Sequence, residues 1–101
     1  MKTLTALILA ILMALSTTAA ADVCKSKADI AAQLMGVRQM GVPMADVMAV
    51  LPEGTVERIM AVEAYETPRY ITKEIQERQI AKLRDKWYML CYKVKAEKTE
   101  S

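Results

Sequence analysis

Two cysteines, a run of methionines and one tyrosine-rich turn are the residues of this chain whose types could do chemistry. Cys24 and Cys91 are its only cysteines, and it has no histidine. Without a C-x-x-C spacing or an imidazole, a redox or metal-binding pair lacks its usual partners, and a structural disulfide is the stronger reading. Met40, Met44 and Met48 recur every fourth residue. Thioethers are soft ligands that suit Cu(I). They are also adaptable core filler and adaptable contact surface. Core packing is the first expectation for them, a partner surface the second and copper the third. The turn Ala64-Tyr65-Glu66-Thr67-Pro68-Arg69-Tyr70 sets two tyrosines and an arginine beside a rigid proline. Such residues dominate interface energetics. Tyr65, Arg69, Tyr70, Met40, Met44 and Met48 are therefore the candidate partner-binding residues. The competing use of the turn is that both tyrosines pack the crossover onto the helix that follows.

Catalysis is hard to assemble from what is left. The usual general base is missing, and the serines and threonines sit at cap or tail positions. Glu53, Glu57, Glu63 and Glu66 are the one cluster of carboxylates that could do acid–base work on a glycoside. Their spacing reads instead as the solvated face of a short helix. No glycine-rich phosphate loop and no zinc spacing appears. The sequence predicts no enzyme, no cofactor and no catalytic or metal residues.

The element that must position these residues is a long helix over 72–95. Ile80, Leu83, Trp87, Leu90, Cys91 and Val94 form its apolar stripe, at steps that fit a period of 3.6. Tyr88 and Tyr92 lie off the stripe's centre and are expected to be partly exposed. Ahead of it, Ser26 and Asp29 read as a capping box for a first helix ending near Met40, with Ile30, Leu34 and Val37 inward and Gln33 and Arg38 outward. Gly41 is a natural stop. Pro43 suits the first turn of a second helix, 44–51, with Val47, Val50 and Leu51 inward. Thr55 can cap a third, 56–66, with Ile59, Val62 and Tyr65 inward. Pro68 ends that one, because the residue before a proline is pushed out of helical geometry. Thr72 caps the long helix, Glu74 and Arg78 pair one turn apart, and 96–101 reads as a frayed, disordered polar tail. No stretch alternates with the period of a strand. The fold class is all-α: a small bundle of three or four helices with a long C-terminal helix, stapled by one disulfide.

The start of the chain reads as a signal peptide, 1–21. Lys2 is followed by an apolar stretch, 4–15, broken only by Thr5 and too short to span a bilayer as a helix. Small residues come next, and Ala19 and Ala21 place cleavage after Ala21. One domain of 80 residues, 22–101, then remains. Losing Lys2 takes 14 basic side chains to 13 against 12 acidic ones, a net charge of +1. That is no footprint for nucleic acid or an anionic membrane. The basic residues of the last helix, mixed with Glu74, Glu77 and Asp85, read as a solvated face. The expected location is the periplasm or outside the cell, with no stable membrane anchor after cleavage. There a bridge closing most of the mature chain would stabilise the fold by about 4 kcal/mol in the chain-entropy model.

A cysteine just after a signal peptide, Val37-Arg38-Gln39-Met40-Gly41-Val42-Pro43-Met44 at the first turn, the Ala64–Tyr70 crossover and Trp87-Tyr88-Met89-Leu90-Cys91 near the end together resemble small exported helical proteins of bacteria and their prophages, a group with no assigned activity. In layout the chain is also similar to phage-encoded periplasmic lysozyme inhibitors and to acid-activated periplasmic chaperones. The resemblance implies a non-enzymatic binding protein with a periplasmic protein partner, such as an inhibitor of a cell-envelope enzyme that excludes superinfecting phage. A stress holdase is the alternative, and a Met-based Cu(I) carrier the less favoured one.

Overall fold

The computed structural model of this chain describes the backbone of residues 19–100 and the side chains of residues 23–96. Most of the expected signal segment, 1–21, lies outside them, as does Ser101. The described residues form four helices and no strand: α1 (Ala19–Gln39), α2 (Met44–Val50), α3 (Val56–Glu66) and α4 (Lys73–Glu100). This is the all-α bundle with a long C-terminal helix that the periodicity predicts. None of these helices is long and apolar enough to cross a membrane.

Helices α1 and α4 run antiparallel along most of their lengths. Cys24 is bridged to Cys91 with 5.4 Å between their Cα atoms. Arg84 reaches Asp29 at 3.5 Å. Gly36 lies against the side chain of Ile80. Helix α3 runs parallel to α1, because Lys27 pairs with Glu57 at 2.7 Å near one end and Arg38 Nε donates to the Thr67 carbonyl at 3.0 Å near the other. A third cross-link joins α3 to α4, from Lys86 to Glu63 at 2.9 Å. The core between them is Ala31, Leu34, Met35, Val47, Met60, Ala61, Ala64 and Leu83. Alanines on facing sides of α1 and α3 let the two backbones approach, and the methionines fill the irregular gaps left over. Met35 and Met60 are almost wholly buried, so two of the methionines serve as core.

The end of α1 is a Schellman turn. Val42 N donates to the Val37 carbonyl at 3.1 Å and Gly41 N to the Arg38 carbonyl at 3.0 Å. Gly41 has φ of 89°, the left-handed geometry that this cap needs. The expected stop at Gly41 is therefore where the helix ends. The stop at Pro68 also holds, since α3 ends at Glu66 with Thr67 as its C-cap.

Several expectations are corrected. Ser26 and Asp29 are not a capping box: α1 already begins at Ala19. The alanines at 19–21 are strong helix formers, and nothing between them and Ser26 breaks a helix. Cys24 thus sits inside α1 rather than on a lead into it. Arg38 does not point away but is half-buried over Tyr65, 5.2 Å from the ring centre. In α2, Val50 does not face inward and is 78% exposed. In α3 the buried face is Met60, Ala61 and Ala64, while Ile59 and Val62 are exposed. Thr55 Oγ1 donates to the Pro52 carbonyl at 2.7 Å and makes no side-chain cap for α3. In α4 the one-turn ion pair near the start is Lys73–Glu77 at 4.0 Å, not Glu74–Arg78. The backbone of α4 is helical to Glu100, and Ala, Glu and Lys near that end all favour helix.

Candidate docking groove

The residues singled out at the crossover are brought together, and most of their polar atoms are used inside the fold. Tyr65 Oη donates to the Val42 carbonyl, and burial pushes its phenol pKa up. Arg69 lies across the end of α1. Its Nε donates to the Gln39 carbonyl at 3.0 Å and its Nη2 to the Met40 carbonyl at 3.4 Å. A cation there satisfies carbonyls that a helix end leaves open and complements the helix dipole. Tyr70 is half-buried, and its backbone N–H donates to Gln39 Oε1 at 2.8 Å. Gln39 is the hub of this joint. It is 3% exposed, and its Nε2 donates to the Pro68 carbonyl at 3.0 Å. Gln39 escaped the sequence reading because a glutamine at a helix end carries no signal of burial. Tyr65 and Arg69 therefore fasten the crossover to the end of α1 and the turn after it, whereas the packing use weighed above is onto the helix that follows.

The three methionines stand in different surroundings. Met40 is 75% exposed at the end of α1 and Met44 is 36% exposed at the start of α2. Met48 packs against the core.

A different feature stands open. Helix α4 has 28 residues and α3 has 11, so at about 1.5 Å per residue α4 is more than twice as long. The apolar stripe of α4 continues past the first turn of α3, and among the described residues no further part of α3 covers it. Leu90 is 41% and Val94 51% exposed, although both belong to the stripe expected to be buried. The result is a groove of about 290 Å³ lined by Val56 and Met60 of α3, Trp87, Leu90, Cys91 and Val94 of α4, and two lysines, Lys27 and Lys95.

The lining is apolar with few polar handles. The indole Nε1–H of Trp87 is buried and has no hydrogen-bond acceptor. A buried donor left unpaired is costly. Lys27 is held to Glu57 at the rim, and that hydrogen bond, first among the causes, lowers the Glu57 carboxyl pKa below its ordinary value. The floor carries Cys91, whose sulfur is closed in the disulfide. Such a lining offers shape and apolar area, which is equipment for recognition. Sequence reasoning missed Val56 and Met60 as groove walls. The available signal was the mismatch in length between the two predicted helices.

Comparison with protein families, characterised proteins and solved structures finds no match to this chain. The function therefore has to be argued from the groove and the surface around it.

Proposed function

We propose that the chain is a small non-enzymatic binding protein of the cell envelope, which takes an apolar segment of a partner protein into the groove between α3 and the end of α4. The observation that carries this reading is an open apolar groove on a scaffold fixed by the Cys24–Cys91 bridge beside it. Exposed contiguous apolar surface on a small protein marks an interaction site. A rigid scaffold lowers the ordering cost of binding. The partner class expected here is an envelope enzyme such as a muramidase, with the chain as its inhibitor. Met40 and Met44, exposed at the far end of α1, do not adjoin this groove and play no part in the reading.

The test compares the disulfide-bonded protein from Asp22 with a Leu90→Glu/Val94→Glu variant. The wild type is expected to inhibit a muramidase, or to crosslink to an envelope enzyme, and the variant to lose that while a Tyr70→Ala control keeps it. A muramidase left fully active, with no capture that depends on Leu90 and Val94, would sink the reading.

A holdase is a second reading with its own support. Val50, Ile59 and Ile71 are 78%, 60% and 100% exposed on elements other than α4. Such scattered apolar surface would serve transient contact with unfolded clients. It predicts suppression of client aggregation that the groove variant does not abolish.

A further inference from the structure

Helix α4 meets α1 on one side and α3 on another. Arg84 leans to Asp29 of α1 and Lys86 to Glu63 of α3. Lys82, at the edge of the second side, lines a cleft with Glu63 and Thr67. The side turned away from both carries Glu74, Arg78, Ala81, Asp85, Tyr88 and Tyr92, all exposed. They follow at alternating steps of four and three, the spacing of a seam that faces another helix. At 1.5 Å per residue this seam is about 27 Å long.

Tyr92 is 62% and Tyr88 37% exposed, and Met89 beside them is 56% exposed. Ile71, just before the helix, is wholly exposed. Among the described residues, Glu74, Arg78 and Asp85 make no ion pair. Acids and bases share the seam, so it is no footprint for a polyanion or an anionic bilayer, which would want one sign of charge.

The order of these residues makes the seam its own complement. Turn it end for end about the midpoint of Ala81 and Lys82. Arg78 then comes level with Asp85, because the two are equally far from that point. Tyr92 comes level with Ile71 for the same reason. A two-fold axis needs this reciprocity, in which residue i meets j and j meets i. The small Ala81 sits at the centre, where the two backbones must approach most closely.

We propose that this side of α4 packs antiparallel against the same side of a second copy of the chain, as a two-fold dimer. Arg78 of each copy pairs with Asp85 of the other, and Tyr92 of each covers Ile71 of the other. The contact is one helix wide, at the small end of protein interfaces, so the dimer is weak and reversible. It leaves the groove open, because Leu90 and Val94 lie on the side of α4 that Val56 and Met60 of α3 share.

Sedimentation equilibrium tests it on the disulfide-bonded chain from Asp22, since every packing contact described above falls between residues 23 and 96. A monomer–dimer equilibrium with a dissociation constant on the order of 100 µM is expected. Arg78→Asp and Asp85→Arg each set like charges together twice and weaken the dimer about tenfold or more. The double swap Arg78→Asp/Asp85→Arg restores it, and so does mixing the two single variants. Positions 78 and 85 are about 10 Å apart along one helix, so rescue reports contact between copies. Tyr92→Glu weakens the dimer, whereas Val50→Glu on α2 and the groove variant Leu90→Glu/Val94→Glu leave it intact. All these positions are exposed, and far-UV circular dichroism checks that each variant is folded. A chain that stays monomeric at about 1 mM, a dimer indifferent to Arg78→Asp, or single swaps that neither the double swap nor mixing rescues overturns the proposal. So does a dimer that the groove variant dissolves, which would put the second copy in the groove.

Discussion

A side chain at position 41 would meet two obstacles at once. Gly41 has φ of 89°, and a Cβ built there would lie 2.9 Å from Cζ of Arg69. The left-handed backbone alone costs a non-glycine residue about 1–2 kcal/mol. Displacing Arg69 adds the loss of its bonds to the carbonyls of Gln39 and Met40. Gly54 provides the comparison. Its φ is 75° and nothing lies within 4 Å of a Cβ there, so Gly54→Ala meets the backbone term alone. Gly41→Ala is expected to lower stability by about 1 kcal/mol more than Gly54→Ala, the worth of a typical hydrogen bond, since Arg69 is exposed. Urea midpoints of the two variants check this, and equal losses would mean that Arg69 contributes nothing to the cap.

At the scale of the elements, the bridge between α1 and α4 is the main device. It links residues 67 apart in sequence, and closing a loop of that length is worth about 4 kcal/mol in the chain-entropy model. Cys24→Ser and Cys91→Ser should each lower the melting temperature strongly, and reductant should do so in the wild type but leave either variant unchanged. A melting temperature of the wild type that ignores reductant would count against the bridge as a stabiliser. The pairing was legible in the sequence because two cysteines and no histidine leave few alternatives. Helix number and most stops were legible too, since Gly41 and Pro68 act through local backbone geometry that needs no tertiary partner. The facing of the short helices was not. In α3 a periodicity weighted by side-chain size selects Ile59, Val62 and Tyr65, of which only Tyr65 packs against the core, whereas packing against α1 selects Met60 and the small Ala61 and Ala64. Close approach of two backbones depends on the partner's surface, which one helix's pattern does not contain. The groove was hidden for the same reason. Leu90 and Val94 satisfy the pattern of a buried stripe, and only the shorter reach of α3 leaves them open.

The whole molecule is a stapled three-helix core with a loosely seated α2. Met35, Met60 and Leu83, from α1, α3 and α4, meet in one buried cluster, so these helices should open together. Val47 is the one buried residue of α2, and a cleft of about 350 Å³ separates this helix from α1. What holds α2 at its end is Arg58, whose Nη2 and Nε donate to the carbonyls of Met48 and Leu51. Few buried contacts and exposed backbone bonds are the physical content of a low local opening energy. Hydrogen exchange should therefore run in three tiers. Amides of α2 exchange first. Those of α4 beyond Cys91 follow, since only one side of that segment is packed. Amides flanking Ala31, Ala61 and Leu83 exchange last and together. Arg58→Ala should quicken α2 and leave the last tier alone, whereas opening the disulfide should quicken the end of α4 and the start of α1 together. If α2 instead exchanges with the core, Val47 and Arg58 couple it far more tightly than their burial implies. The middle tier also reads out occupancy. A partner in the groove would slow exchange around Leu90 and Val94 without changing α2, because the groove and α2 share no lining residue.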